Sequence, residues 1–150
     1  MTVYGMGDEP WHDAPWMPLA LAELGQREVP GDADNPRIVE YHSYTAGRAR
    51  TPDAVPWCSS FANFCMRRAG ERCAGSKAAR SWLKWGVPCE YRLGAVVVFW
   101  RKARNSPSGH VAFVVGETAD SVLCLGGNQS NAVCVKPYPK RRLLGYRWPR

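Results

Sequence analysis

The run Gly94-Ala95-Val96-Val97-Val98-Phe99-Trp100 (GAVVVFW) divides the chain into two parts of different character. Its β-branched and aromatic residues, with no polar side chain among them, read as a buried strand that starts just after the glycine. Downstream, the stretches HVAFVVGE (110–117), SVLCLGG (121–127), AVCVKPY (132–138) and LLGYRW (143–148) repeat that character, with turn residues between them. Upstream, the apolar residues fall at helical spacing instead. Trp16 to Gln26 is one such helix, closed by a glycine and the breaker run Val29-Pro30-Gly31-Asp32. Asn35-Pro36 opens a second helix, with proline in its first turn, and Ala46 to Pro56 follows as a polar loop. A third helix is predicted from Cys58 to Ala69, stopping at Gly70, with Cys58, Phe61, Ala62, Cys65 and Ala69 on one apolar stripe. Ser76 is placed to cap a fourth, Lys77 to Trp85, ended by Gly86 and Pro88. Helices come first and strands follow, so the expected class is α+β with an antiparallel sheet.

The length of 150 residues suits a single domain over 1–150, with residues 1–15 as an irregular extension. An apolar share of 45% and a charged share of 22% are those of a globular protein. The apolar run 95–100 is far too short to cross a bilayer. The first residues lack the basic and apolar regions of a signal peptide, which predicts synthesis in the cytoplasm and delivery by another route. Charge is uneven: residues 1–75 carry 7 Lys/Arg and 10 Asp/Glu, whereas residues 76–150 carry 13 and 3. That basic half fits either a solvated surface or an anionic polymer. No signature of a nucleic-acid-binding module accompanies it.

Six cysteines occur, with no C-x-x-C pair of the zinc or thioredoxin type, so neither a metal nor a cofactor is expected. Cys124 and Cys134 flank a predicted turn, where they could lie opposite each other as a disulfide, although two reduced thiols are the expectation for a chain made in the cytoplasm. Cys58 stands directly after Pro56-Trp57, where the third helix begins. A thiol there meets unsatisfied backbone N–H groups and the positive end of the helix dipole, both of which favour thiolate. His110, at the head of its strand, is a base that could partner it. On alternation His110 shares a face with Ala112, Val114 and Gly116, small enough to let a helix approach. His12 and His42 read as surface or packing histidines. In LGGNQSN (125–131), Gly-Gly-Asn is ordinary turn chemistry. The functional reading of the same stretch is that Asn128 accepts the imidazole N–H, with Gln129 and Glu117 as alternatives.

PWCSSFANFCMRRAG, SKAARSWLKWG, GHVAFVVGE, LGGNQSNAV and YPKRRLLGYRWP, in this order, resemble the CHAP proteins of phages and bacteria (cysteine, histidine-dependent amidohydrolase/peptidase), relatives of NlpC-like hydrolases. WMPLALAELGQREVPG and NPRIVEYH belong to the same likeness, which runs from Trp16 almost to the end. The resemblance implies a papain-like fold, helices packed on an antiparallel sheet, and hydrolysis of amide bonds in bacterial peptidoglycan. By motif, Cys58 becomes the nucleophile, His110 the base and Asn128 the orienting group. Many family members place a carboxylate shortly before that last position, where this chain has Gly126 and Gly127. Trp57, Tyr41 and Gln129 are candidate substrate contacts. Further expected partners are anionic envelope polymers on Lys140, Arg141, Arg142, Arg147 and Arg150, and an immunity protein if the chain is a secreted effector. A noncatalytic wall-binding module of the same fold is the alternative.

Overall fold

In the computed structural model, residues 11–47 and 50–150 are described. Most of the expected N-terminal extension therefore lies outside them. Helices α1 (Trp16–Ala22), α2 (Pro36–His42) and α3 (Cys58–Arg68) precede strands β1 (Val87–Cys89), β2 (Val96–Trp100), β3 (Gly109–Glu117), β4 (Ser121–Gln129), β5 (Ala132–Pro139) and β6 (Leu143–Trp148). The strands form one sheet in the order β1-β6-β2-β3-β4-β5, each neighbouring pair antiparallel. The class is α+β. β1 was not foreseen; its Pro88 is tolerated because β1 is an edge strand.

α1 ends four residues before the predicted Gln26. At Gly25 the chain turns through a left-handed φ of +96°, and the next residues pair with the start of β5. Gly25 N–H donates to Val133 O (3.0 Å), Val133 N–H to Gln26 O (2.9 Å) and Glu28 N–H to Asn131 O (3.0 Å). Pairing with β5 wins over another helical turn. α2 starts as read: the Asn35 side chain accepts from Arg37 N–H and Pro36 occupies the first turn.

α3 is buried nearly all round. Phe61, Phe64 and Cys65 pack with Val96, Val98, Val111, Phe113 and Leu125 in one core, each large side chain contributing about 1.5–3 kcal/mol. The polar flank of α3 is buried too, but hydrogen-bonded. Ser59 Oγ donates to Ser76 O (2.6 Å), Trp82 Nε1 to Ser59 Oγ (2.9 Å) and Asn63 Nδ2 to Ser76 O (3.0 Å). These contacts pin the chain after Gly75, and it forms a 3-10 helix over Ala79–Lys84 in place of the predicted α-helix. Trp82 and Trp85 pack edge to face inside the core, with centroids 4.9 Å apart.

The sheet is apolar on both faces, as alternation in β2 and β3 requires. Val111 and Phe113 face α3, whereas Ala112 and Val114 join Ala95, Val97, Phe99, Val122 and Cys124 on the other side. The expectation that small residues beside His110 admit a helix is therefore corrected. The helix sits against the bulky Val/Phe face, and Tyr91, Tyr138, Leu143 and Tyr146 from the sheet region itself cover the small one.

Candidate active site

Two anchors deliver Cys58 to the sheet. The buried Asp53 carboxylate accepts from the N–H groups of Val29 (2.9 Å) and Asn35 (2.8 Å), which fixes the loop leading into α3. Trp57, fully buried, donates its indole N–H to Glu28 Oε1 at 2.8 Å. Cys58 then lies at the N-terminus of α3 with 6% of its surface exposed. β3 and β4 pair only from Phe113↔Leu125 to Glu117↔Val122, so residues 109–112 of β3 are free on that side. The backbone N–H of Val111 in this gap acts on the thiol. Burial pushes the Cys58 thiol up, against the backbone N–H groups of Val111, Ser59 and Cys58 itself and the charge of Arg101, which pull it down. Desolvation outweighs the helix-end effect expected from the sequence.

His110, 2% exposed, stacks on Tyr138 with ring centroids 4.5 Å apart and planes 16° apart. Its Nε2 meets Gln129 Oε1 at 2.9 Å. The Gln129 amide nitrogen donates to the carbonyls of Cys124 (3.1 Å) and Cys134 (2.7 Å), which settles the orientation of the amide. Its oxygen can only accept, so His110 Nε2 carries the proton and Nδ1 is left unprotonated. Burial is the main cause that holds the imidazole down to about 4, with Arg101 and Lys136 adding to it against the Gln129 bond. The resting pair is a neutral thiol and a neutral imidazole. No hydrogen bond joins Sγ to the ring among the described contacts; such bonds commonly tighten when substrate arrives.

A bulge puts Gln129 there. The β4–β5 register runs to Gly126↔Cys134 and resumes at Gln129↔Ala132, so Gly127 and Asn128 oppose a single residue of β5. Asn128 adopts a left-handed φ of +56°, and Ser130 (+53°) and Asn131 (+58°) form the two-residue hairpin turn. The extra residue moves Gln129 onto the face of Gly126, Ala112 and His110. A Cβ on Gly126 would come within 2.5 Å of Gln129 Oε1 and 2.9 Å of Ala112 Cβ. A Cβ on Gly127 would come within 2.7 Å of both Phe61 and Trp57. Gly126 makes room for the glutamine and Gly127 for α3.

Several assignments change accordingly. Asn128 makes no hydrogen bond to His110; it lines the cleft, and the contact expected of it is made by Gln129. Gln129, read both as a substrate contact and as an alternative to Asn128, is 1% exposed and meets the His110 ring. Trp57 and Tyr41 are core residues, both at 0%. Tyr41 donates to Glu23 Oε1 at 2.8 Å and packs on Trp57, Phe61 and Phe64. Glu117, at the far end of β3, pairs with Lys140 at 2.9 Å. His42 is buried against Ser60, and His12 is exposed. All six cysteines are unbridged.

In front of His110 lies a cleft of about 490 Å³. Trp100, Arg101, Asn128, Lys136, Tyr138 and Arg142 are among its lining residues, with Glu28 as its carboxylate. The sequence reading missed Tyr138, Arg101 and Lys136, because only the fold brings residues of β5, two strands away, and the end of β2 around His110. Gln129→Ala is expected to lower kcat about 10²-fold with little change in KM, since a buried histidine loses its tautomer and orientation. Asn128→Ala should change kcat less than about threefold. Equal losses in the two variants would return the positioning role to Asn128.

Among families, the model of the CHAP domain matches residues 50–128, a span that opens eight residues before Cys58 and takes in His110 and the bulge. No curated protein matches the chain significantly. The matched span covers more than half of the 150 residues, and the domain it describes is generally a peptidoglycan hydrolase. The chain therefore belongs to the CHAP family of peptidoglycan hydrolase-like proteins.

Proposed function

We propose that the protein is a cysteine-dependent hydrolase that cuts amide bonds in the stem peptides of peptidoglycan, as amidase or endopeptidase. The observation that carries this reading is the Gln129–His110 contact, which leaves Nδ1 of a buried neutral imidazole as a free base. His110 takes the Cys58 proton as Sγ attacks the scissile carbonyl. Because both groups are neutral at rest, proton transfer accompanies the attack. The backbone N–H of Cys58, free at the helix N-terminus, is a donor for the developing oxyanion. The imidazolium then gives that proton to the leaving amine as the C–N bond breaks, leaving a thioester on Cys58. Neutral His110 next takes a proton from the attacking water and returns it to sulfur as the C–S bond breaks, which releases the carboxylic product and restores the thiol.

A noncatalytic wall-binding module would have no use for a histidine held neutral against its own hydration. Release through membrane lesions, as for a phage lysin, or injection as an antibacterial effector would bring the enzyme to its substrate. Mass spectrometry of fragments from digested sacculi tests the chemistry. New amino termini on the first alanine of the stem indicate an amidase, cuts within the stem or cross-bridge an endopeptidase, and no fragments at all would overturn the proposal.

The pH dependence follows from the depressed imidazole. The base works only when neutral, so the acid limb of kcat/KM should fall near pH 4 instead of the 6.5 of a free histidine. Stability follows the same group: its contribution is present above pH 6.5 and is lost as pH falls through about 4, because the unfolded chain takes up the proton first. The loss is on the order of 3 kcal/mol. A pH–rate profile and urea melts across pH 4–7 check both, and an acid limb at 6.5 would contradict the burial argument.

A further inference from the structure

The cleft before His110 carries more positive charge than proton transfer uses. Arg101, Lys136 and Arg142 line it. Its carboxylate, Glu28, is engaged by the Trp57 indole. Among the described residues none of the three cations has an ion-pair partner, although nearby Lys140 is paired with Glu117. The Arg142 guanidinium lies over the Trp100 ring at 5.1 Å, and its Nε is buried with no hydrogen-bond partner. Lys136 is held over the hairpin turn by Ser130 Oγ at 3.1 Å. The charge of Arg101 acts on Cys58, His110 and Tyr138 alike, which places it beside the reacting groups.

Three unpaired cations around one cleft repel each other and hold a place for an anion. We propose that Arg142, Lys136 and Arg101 form a carboxylate subsite, which selects stem peptides with a free carboxylate next to the scissile amide. The subsite rests on the hydrolase reading for the identity of its ligand. Arg142, planar and partly desolvated against Trp100, is the fork that grips the carboxylate. Lys136 and Arg101 flank it. Binding has a second consequence: a carboxylate there offsets the two cations that oppose protonation of His110, so the base strengthens once substrate is in place.

The test measures binding to the full-length Cys58→Ala chain by calorimetry. The two ligands are a disaccharide-tetrapeptide with free carboxylates and the same muropeptide amidated at them. The free acid should bind about tenfold tighter at low salt, and Arg142→Gln or Lys136→Gln should reduce the ratio to about twofold or less. Lys136 is exposed, so its variant tests the subsite even if Arg142→Gln fails to fold. Equal affinities, a ratio unmoved by the substitutions, or no binding of either ligand would overturn the subsite. So would tighter binding of a glycerol-phosphate oligomer, which would make the patch a wall-polymer contact. Digestion of sacculi by the wild-type chain separates the two readings. Hydrolysis with equal affinities defeats the subsite alone, whereas selective binding without hydrolysis defeats the enzyme alone.

Discussion

Cys58→Ala should abolish release of peptidoglycan fragments, lowering kcat by about 10⁴-fold or more, while the melting temperature stays within a few degrees of wild type. The thiol is the one side-chain group of residue 58 that the chemistry needs, and alanine keeps the backbone N–H, the helical start and most of the packing. Cys65→Ala is the control. That thiol is also on α3, but it is fully buried among apolar side chains, and burial pushes it well up with no backbone N–H to offset the loss of water. Its removal should cost about 1 kcal/mol of stability and leave kcat unchanged. Hydrolysis by Cys58→Ala at the wild-type rate would end the thiol mechanism, whatever the fold.

Trp57→Ala should be the most destabilising substitution near the site, at about 3–5 kcal/mol. The indole is fully buried, lies 5.8 Å from Tyr41 between centroids, and with Phe61 is one of the two side chains that leave room only for glycine at position 127. Truncation leaves a cavity at the entrance to α3 and removes the donor from Glu28. Urea unfolding followed by far-ultraviolet dichroism reads the loss. A near-native midpoint combined with a raised KM would instead make Trp57 a wall of the substrate cleft, as its place before the nucleophile suggests when only the sequence is considered. Trp57→Phe, which keeps the ring and loses the hydrogen bond, should fall between the two.

Much of this molecule is local and therefore legible in one dimension. The period change at Gly94 separates helices from strands, Asn35-Pro36 starts α2, and the stripe 58-61-62-65 marks the buried side of α3, because backbone geometry ties each spacing to one face. The Cys58 and His110 positions follow from the same logic together with the family likeness. α1 and the segment after Ser76 were misjudged for a shared reason. The first gives up a turn to pair with β5 and the second is pinned to Ser59 and Asn63, and such competition comes from residues distant in sequence.

The orienting residue shows the limit most clearly. Counting by twos from Cys124 places Gly126 and Asn128 on the face of His110 and turns Gln129 away, so Asn128 is the natural choice from the sequence. One extra residue in β4 reverses that parity, and Gln129 reaches Nε2 of the histidine across the space that Gly126 leaves open. Strand alternation is dictated by the chain itself, but whether a bulge interrupts it depends on how β4 fits between β5 and α3. The chain alone carried most of the elements and pointed to Cys58 and His110 as the pair proposed for the chemistry. The tertiary structure decided which amide holds the base, how deeply both groups are desolvated, and which cations surround them, because register, burial and long-range charge are properties of packed neighbours.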